Sequence, residues 1–323
     1  MEPGVRRRSA DSGESRYRKD GLLSTSPPTS AIRLVAVVVL YHMAPDDSVA
    51  FRSLQKAMQN LQFQQLDLKI LLYDNTPGRA YTGSLPEGVR YEWAGRNMGL
   101  ATAYNWALEI AALLESGWLL LLDQDTALPP DFIAVVTALT MEYEANAAVV
   151  ALVPIARSGG VVVSPKRVGF FSNPALRKHE PGIQDAEITA INSGAVLRCD
   201  FVRSIGGFSG AYWLDYLDFW FFRQIYGAGK KVAISECIIE HSLSIQDYRK
   251  NISLARYSSI LAGESKFMVA YKAKSQLAFY LFRLFVRSAR FAIWRQPKMA
   301  MITLATIARI VRGPTSSTEG EPV

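Results

Sequence analysis

Trp118-Leu119-Leu120-Leu121-Leu122-Asp123-Gln124-Asp125-Thr126 is the stretch on which the reading of this chain turns. Five apolar residues after Gly117 predict a short buried strand, parallel and covered on both faces. Two carboxylates at i and i+2 follow at its carboxyl end, the region where open α/β sheets bind ligands. In an extended segment those positions share one side. Such a pair suits a hard divalent cation, Mg²⁺ or Mn²⁺, which prefers carboxylate oxygens and also takes substrate phosphates. The alternative is that these aspartates cap a helix opening near Pro129-Pro130-Asp131.

Working outward, ordered structure is expected from Ile32. The apolar run Leu34 to Leu40 predicts a first buried strand, Phe51 to Gln62 a helix, and Leu68 to Tyr73 a second strand ending in the turn cluster Asp74-Asn75-Thr76-Pro77-Gly78. Leu100 to Ser116 predicts a helix leading into the central strand. Phe132 to Tyr143 is the next helix and Ala147 to Val153 the next strand. Strand and helix alternate from 34 to 153, so right-handed βαβ crossovers and a mostly parallel sheet flanked by helices follow. Beyond that the pattern loosens. Residues 156 to 189 read as loop with a hairpin strand at Val161 to Val163, and Ile188 to Arg198 as strand interrupted at Asn192-Ser193-Gly194. Tyr212 to Gly227 reads as helix, Val232 to Ile234 and Ile238-Ile239 as short strands, and Asn251 to about Val311 as mostly helix. The expected organisation is a disordered tail (1–31), a catalytic α/β domain (32–250), a helical C-terminal region (251–312) and a disordered end (313–323).

With 323 residues the chain can bury a full core. Two cysteines, Cys199 and Cys237, at no metal-type spacing, suggest neither a disulfide framework nor a zinc site. The net charge of +7 is unevenly placed: Ser265 to Arg312 carries ten Lys and Arg and no Asp or Glu, which leaves the remainder near −3. A nucleic-acid binder would spread its basicity over the body, so that class is set aside. The N-terminal stretch lacks an apolar signal region, and no 18-residue uncharged apolar window exists, so no membrane span is expected. The basic segment instead reads as an amphipathic helix: Arg283, Arg287 and Arg290 at helical spacing, with Leu281, Phe282, Leu284, Phe285, Phe291 and Trp294 around them. That pattern fits either a membrane-surface anchor on an anionic leaflet or a core-packed helix with a solvated basic face.

Other clusters carry chemistry. Asp74, closing the second strand, can accept from a ribose hydroxyl or a base N–H, or simply organise a turn. Asn97 is placed to cap the Leu100 helix, and Gly99 permits a close backbone approach near a helix terminus that attracts phosphate. No dinucleotide or P-loop glycine fingerprint is present. Within Trp213-Leu214-Asp215-Tyr216-Leu217-Asp218-Phe219-Trp220, two aspartates at i and i+3 read as one helix face in aromatic surroundings. An apolar setting raises a carboxyl group towards the pKa of a useful general base. His241, ending a short apolar strand, is either structural or the partner of Asp125 at a cation.

In this order the marks resemble family 2 inverting glycosyltransferases of the GT-A fold, most closely bacterial rhamnosyltransferases that build surface polysaccharide. They are Val35 to Tyr41, Asp74-Asn75, Asn97 to Ala101, Asp123 to Thr126, Asn192-Ser193-Gly194, Ile205 to Phe208, Leu214 to Asp218, and His241. The resemblance implies a nucleotide-sugar donor, favouring dTDP-rhamnose, with Tyr41, Asp74, Asn75, Asn97, Gly99, Asp123 and Gln124 on the donor side. It implies a divalent cation on Asp125 and His241, and Asp218 as the base that deprotonates the acceptor hydroxyl, with Asp215 second in line. Asn192, Ser193, Gly194 and Trp213 fall on the acceptor side. The chain departs from the family pattern at Trp220 and Gln224, where an acidic residue and an arginine are common, and at His42, where asparagine is common. A lipid-linked glycan acceptor would explain the basic tail, with the enzyme peripheral at the cytoplasmic face of the inner membrane. The alternatives are the same fold with galactofuranose, a hexosamine or another hexose, and a catalytically silent sugar-nucleotide or glycan-binding component.

Overall fold

The computed structural model describes residues 32–59, 66–170, 173–174, 176, 180–241 and 252–313. The tails expected to be disordered lie outside these residues, apart from Gly313. In chain order the elements are β1 (Ile32–Leu40), α1 (Val49–Gln59), β2 (Leu66–Asp74), β3 (Val89–Trp93), α2 (Gly99–Leu113), β4 (Trp118–Asp123), α3 (Phe132–Glu142) and β5 (Val149–Ser158). There follow β6 (Val161–Ser164), β7 (Lys166–Arg167), β8 (Gly182–Ile183), β9 (Ile188–Thr189), β10 (Val196–Arg198), α4 (Cys199–Ser204), α5 (Leu217–Gly227) and β11 (Lys231–Glu240). Three helices close the described chain: α6 (Leu254–Tyr271), α7 (Lys274–Ile293) and α8 (Pro297–Arg312).

The architecture is the expected α/β one, a central, mostly parallel sheet flanked by helices, with a helical C-terminal extension. The nine-stranded sheet runs β3-β2-β1-β4-β10-β5-β11-β8, with β6 hairpinned onto β5. Pairing is parallel along β3, β2, β1 and β4 and between β5 and β11. Short β10 is inserted antiparallel between β4 and β5. Alternation along the strands explains why their sequences are apolar throughout. Val35, Val37, Val39, Leu119 and Leu121 face a core shared with α2, α4 and α5. Leu34, Ala36, Val38, Leu40, Trp118, Leu120 and Leu122 face the opposite core with α1 and α3. The C-terminal helices enclose a smaller core of their own, around Tyr257, Tyr280, Leu284, Phe291 and Met299.

Strand register sets the site. Val39 pairs with Asp123 and Leu40 with Asp74, so the carboxyl ends of β1, β2 and β4 finish level along one edge of the sheet. An isolated bridge between Ala127 and Glu240 draws the end of β11 onto the segment after Asp125. That bridge makes His241 a neighbour of Asp125 despite their separation in sequence.

Two expectations are corrected here. The helix expected from Tyr212 begins only at Leu217, because Tyr216 adopts a left-handed conformation (φ 66°) that a helix cannot propagate. Asp215 therefore precedes the helix, and Asp215 and Asp218 do not share a helix face. The two short strands around Val232 and Ile238 are one strand, β11, with an irregular register between Ile234 and Ile238.

Candidate active site

Asp123, Asn192, Asp215, Asp218 and His241 line one cavity of about 510 Å³ at the carboxyl edge of the sheet. They arrive from β4, the β9–β10 connection, the segment before α5, the first turn of α5, and the residue after β11.

Asp218 is the most strongly prepared of them. Burial pushes its carboxyl from 3.8 to about 7, with the nearby Asp215 and Asp123 adding to the rise, and the Phe219 N–H, donated to Oδ1 at 2.8 Å, opposing it. A carboxylate held near neutrality is suited to accept a proton. By surface area Asp218 is only half-buried, because it opens on the cavity; protein surrounds it on the remaining sides.

Asp215 is committed elsewhere. Its Oδ2 accepts from Arg256 Nη1 at 2.6 Å and from Ser259 Oγ at 3.0 Å. Burial still pushes this carboxyl upward against those two partners. A guanidinium in direct contact does not release its proton, however, so Asp215 is an ion-pair partner and not a free base. Arg256 and Ser259 come from α6, and no spacing in the sequence linked them to Asp215.

His241 Nδ1 lies 3.6 Å from Asp125 Oδ1, and Nε2 lies 3.9 Å from Asp123 Oδ2. Nδ1 also meets Thr126 Oγ1 at 3.0 Å; Thr126 Oγ1 meets Ser193 Oγ at 2.6 Å, and Ser193 Oγ accepts the Asp123 N–H at 2.9 Å. Thr126 and Ser193 are fully buried. Ser193 thus lies beneath the site, holding the aspartate loop and the histidine in one network, rather than facing an acceptor. Burial pushes Asp123 upward, while the nearby His241 pulls it back. For a hard cation the donor set is partial: Asp125 and His241 converge closely enough to share one. Among the described residues, though, no group of three or more His, Cys, Asp and Glu is arranged to hold a metal by itself. One carboxylate completed by phosphate oxygens and water fits the habit of Mg²⁺, while the imidazole is a softer donor that suits a transition metal.

The residues expected on the donor side form the adjoining edge and are heavily engaged with one another. Asp74 is almost fully buried; Oδ2 accepts from Tyr91 Oη at 2.6 Å and Oδ1 from Thr76 N at 2.8 Å, so it organises the end of β2. Asn75 binds Gly99 O and Met98 N, tying that end to the start of α2. The Gln124 amide bonds both backbone groups of Tyr41, at 2.7 and 3.2 Å, stapling β1 to β4, and Tyr41 itself is exposed.

Asn97 accepts the Gly99 N–H at 3.0 Å, one residue ahead of the cap position it was expected to fill, which Met98 occupies. Gly99 (φ +80°) does permit a close approach, but of Trp213. A Cβ there would sit 2.3 Å from Trp213 O, which also accepts the N–H groups of Leu100 and Ala101. The terminus of α2 is therefore capped by protein, and half-exposed Trp213 is its lid. Gly194 (φ +82°) is likewise a packing residue, leaving no room for a Cβ beside Pro154 and Ile239.

No family model matches the chain, and no curated protein sequence matches it. Solved structures of S. aureus TarS resemble it in fold. Residues 1–349 of TarS align at 12% identity over 88% of this chain and 93% of that one, with a TM-score of 0.44. The same TarS segment in complex with UDP-GlcNAc aligns at 14% identity over 85% and 82%, TM-score 0.49, and in complex with UDP at 11% over 90% and 94%, TM-score 0.43.

Proposed function

We propose that the chain is a glycosyltransferase of the GT-A type that moves a sugar from a nucleotide donor to an acceptor hydroxyl with inversion, in a single displacement. The observation that carries this reading is that one cavity is lined both by Asp218, a carboxyl group pushed up to about 7, and by Asp123 and His241 at the strand ends, with Asp125 beside His241. Asp218 takes the proton of the acceptor hydroxyl as its oxygen attacks the anomeric carbon. Asp215, held by Arg256 and Ser259, keeps the segment before α5 in place so that Asp218 faces the cavity. Asp125 and His241 would hold the divalent cation, His241 through Nε2, because Nδ1 is bonded to Thr126 Oγ1, itself held by Ser193, in the manner of outer-shell partners of metal ligands. When bound, such a cation supplies Lewis-acid stabilisation to a departing nucleoside diphosphate.

The finer identity rests on the sequence resemblance alone: a 6-deoxyhexose, rhamnose from dTDP-rhamnose, passed to a lipid-linked glycan at the cytoplasmic face of the inner membrane. Among the described residues no helix is long and apolar enough to cross a membrane. The exposed Phe279, Phe282 and Phe285 of α7 support surface attachment. Arg287 does not contribute to it: its guanidinium is held by both oxygens of buried Glu264, at 2.7 and 3.0 Å. The test is a panel of labelled nucleotide sugars, with and without a chelator, following release of the nucleoside diphosphate. One donor should be consumed only with metal present and Asp218 intact. Consumption of none, with no nucleotide sugar bound, overturns the reading.

A further inference from the structure

A second cavity, of about 180 Å³, adjoins the one that holds Asp218; Thr189, Tyr216, Phe219 and Glu264 line both. Its charge is unbalanced. Arg223 of α5, Lys272 after α6 and Arg283 of α7 line it. Among the described residues, Arg33, Arg203, Arg256 and Arg287 form ion pairs, and the structure records none for Arg223 or Arg283. Among the described residues two carboxylates line it; Glu264 is already taken by Arg287, which leaves Glu187 alone against three cations. Lys272 is pushed downward by burial and then by Arg223, with Glu187 opposing, as expected where cations crowd without a counter-ion.

A second observation is independent of charge. Thr189 and Tyr280 line this cavity and are more than nine-tenths buried, and among the described residues their hydroxyl oxygens, enclosed in the wall, have no hydrogen-bond partner. Buried hydroxyls are nearly always satisfied, and orphaned ones at a cavity wall mark a place where a ligand completes the bonding. Arginine forks and hydroxyl donors together match the oxygens of a phosphate group.

We propose that this cavity is an anion subsite for the acceptor, binding a phosphate group carried by the molecule whose hydroxyl is presented to Asp218. The word acceptor rests on the transferase reading above; the anion subsite stands without it. The phosphate belongs either to a lipid-linked carrier or to a soluble phosphorylated glycan, and the chemistry at the subsite is shared.

The test uses the full chain in a chelating buffer and calorimetry with three probes: inorganic phosphate, a short-chain alkyl phosphate below its micellar concentration, and a soluble sugar phosphate. A neutral methyl glycoside is the control. Phosphate should bind with a salt-dependent affinity that falls at least tenfold in the Arg223→Gln/Arg283→Gln variant. Thr189→Val should also weaken binding, at least threefold, without lowering the melting temperature, because the hydroxyl it removes makes no bond within the protein. Tighter binding of the alkyl phosphate assigns a lipid-linked source, and of the sugar phosphate a soluble one; either supports the subsite. Phosphate affinity equal in the native protein and the double variant overturns it, as does the absence of phosphate binding. Nucleotide-sugar binding is measured on the same preparations after the chelator is replaced by Mg²⁺ or Mn²⁺. If phosphate binds through Arg223 and Arg283 but no nucleotide sugar does, the transferase reading falls and the subsite remains.

Discussion

Asp218→Asn separates the two consequences of burying a carboxyl group, because chemistry and stability should move in opposite directions. The substitution keeps the shape of the side chain and the oxygen that accepts from Phe219 N, but removes the charge. As the folded protein holds Asp218 up at about 7 against an ordinary 3.8, the native state retains a proton that the unfolded chain releases. The native protein is therefore most favoured below pH 4 with respect to this group, and loses that advantage as pH rises to about 7. At about 1.36 kcal/mol per pH unit the full loss is about 4 kcal/mol. Contact with cavity water screens the charge, so about 2 kcal/mol is the working figure. The asparagine variant does not titrate. It should melt about 4 °C above the native protein at pH 8, at about 2 °C per kcal/mol for a chain of this size, with the gap closing towards pH 4. Thermal melts at pH 4, 6 and 8 measure this, beside a transfer assay. Transfer should be abolished, and in the native enzyme kcat/KM should fall tenfold per pH unit below about pH 7 as the base is protonated. A variant that melts lower than the native protein at pH 8, or a gap that does not change with pH, refutes the burial argument. Retained turnover refutes the role of Asp218 as base.

Gly99→Ala should cost more than about 2 kcal/mol, since a Cβ would collide with Trp213 in a left-handed backbone position; a lower melting temperature together with altered tryptophan fluorescence checks it, and an unchanged protein counts against the lid. Thr126→Val leaves His241 Nδ1 and Ser193 Oγ without their shared partner, so manganese affinity measured by titration should drop about 10- to 100-fold; unchanged affinity would detach that network from the cation. Phe282→Glu with Phe285→Glu, two exposed positions on α7, should abolish flotation with anionic vesicles while leaving the melting temperature within about 1 °C; undiminished flotation would remove the anchor.

The parallel half of the sheet was legible because its strands are buried on both faces, so Leu34 to Leu40 and Trp118 to Leu122 are apolar without interruption. Strand β3 was missed for the converse reason. Val89–Trp93 is half-buried at the sheet edge and carries Arg90 and Glu92, which dilute any strand signal. The hairpin strand at Val161 was readable from its β-branched run and the Gly159-Gly160 turn before it. The start of α5 was not, because Tyr216 is no glycine, and a left-handed tyrosine is imposed by packing against Phe219 and Phe267 rather than by local preference.

The candidate site divides along the same line. Aspartates at strand ends were found because register carries them there, whatever the loops do. The partners that give each one its character arrive from far along the chain, and this is where sequence reading failed. The residues alone put Asp215 and Asp218 in one aromatic stretch, and the resemblance ranked Asp218 ahead as base. The arrival of Arg256 and Ser259 from α6 makes Asp215 an ion-pair partner and leaves Asp218, among the described residues, unpaired by any cation. Asn97, Gly99 and Trp213, read as pocket residues, are chiefly devoted to one another, since the carbonyl of Trp213 fills the anion-binding position at the start of α2. A phosphate reaching this edge must then be met by side chains or a cation rather than by that helix terminus. Under the proposed transferase reading, that phosphate would be met by the cation held on Asp125 and His241, at the end of the stretch from Trp118 to Thr126.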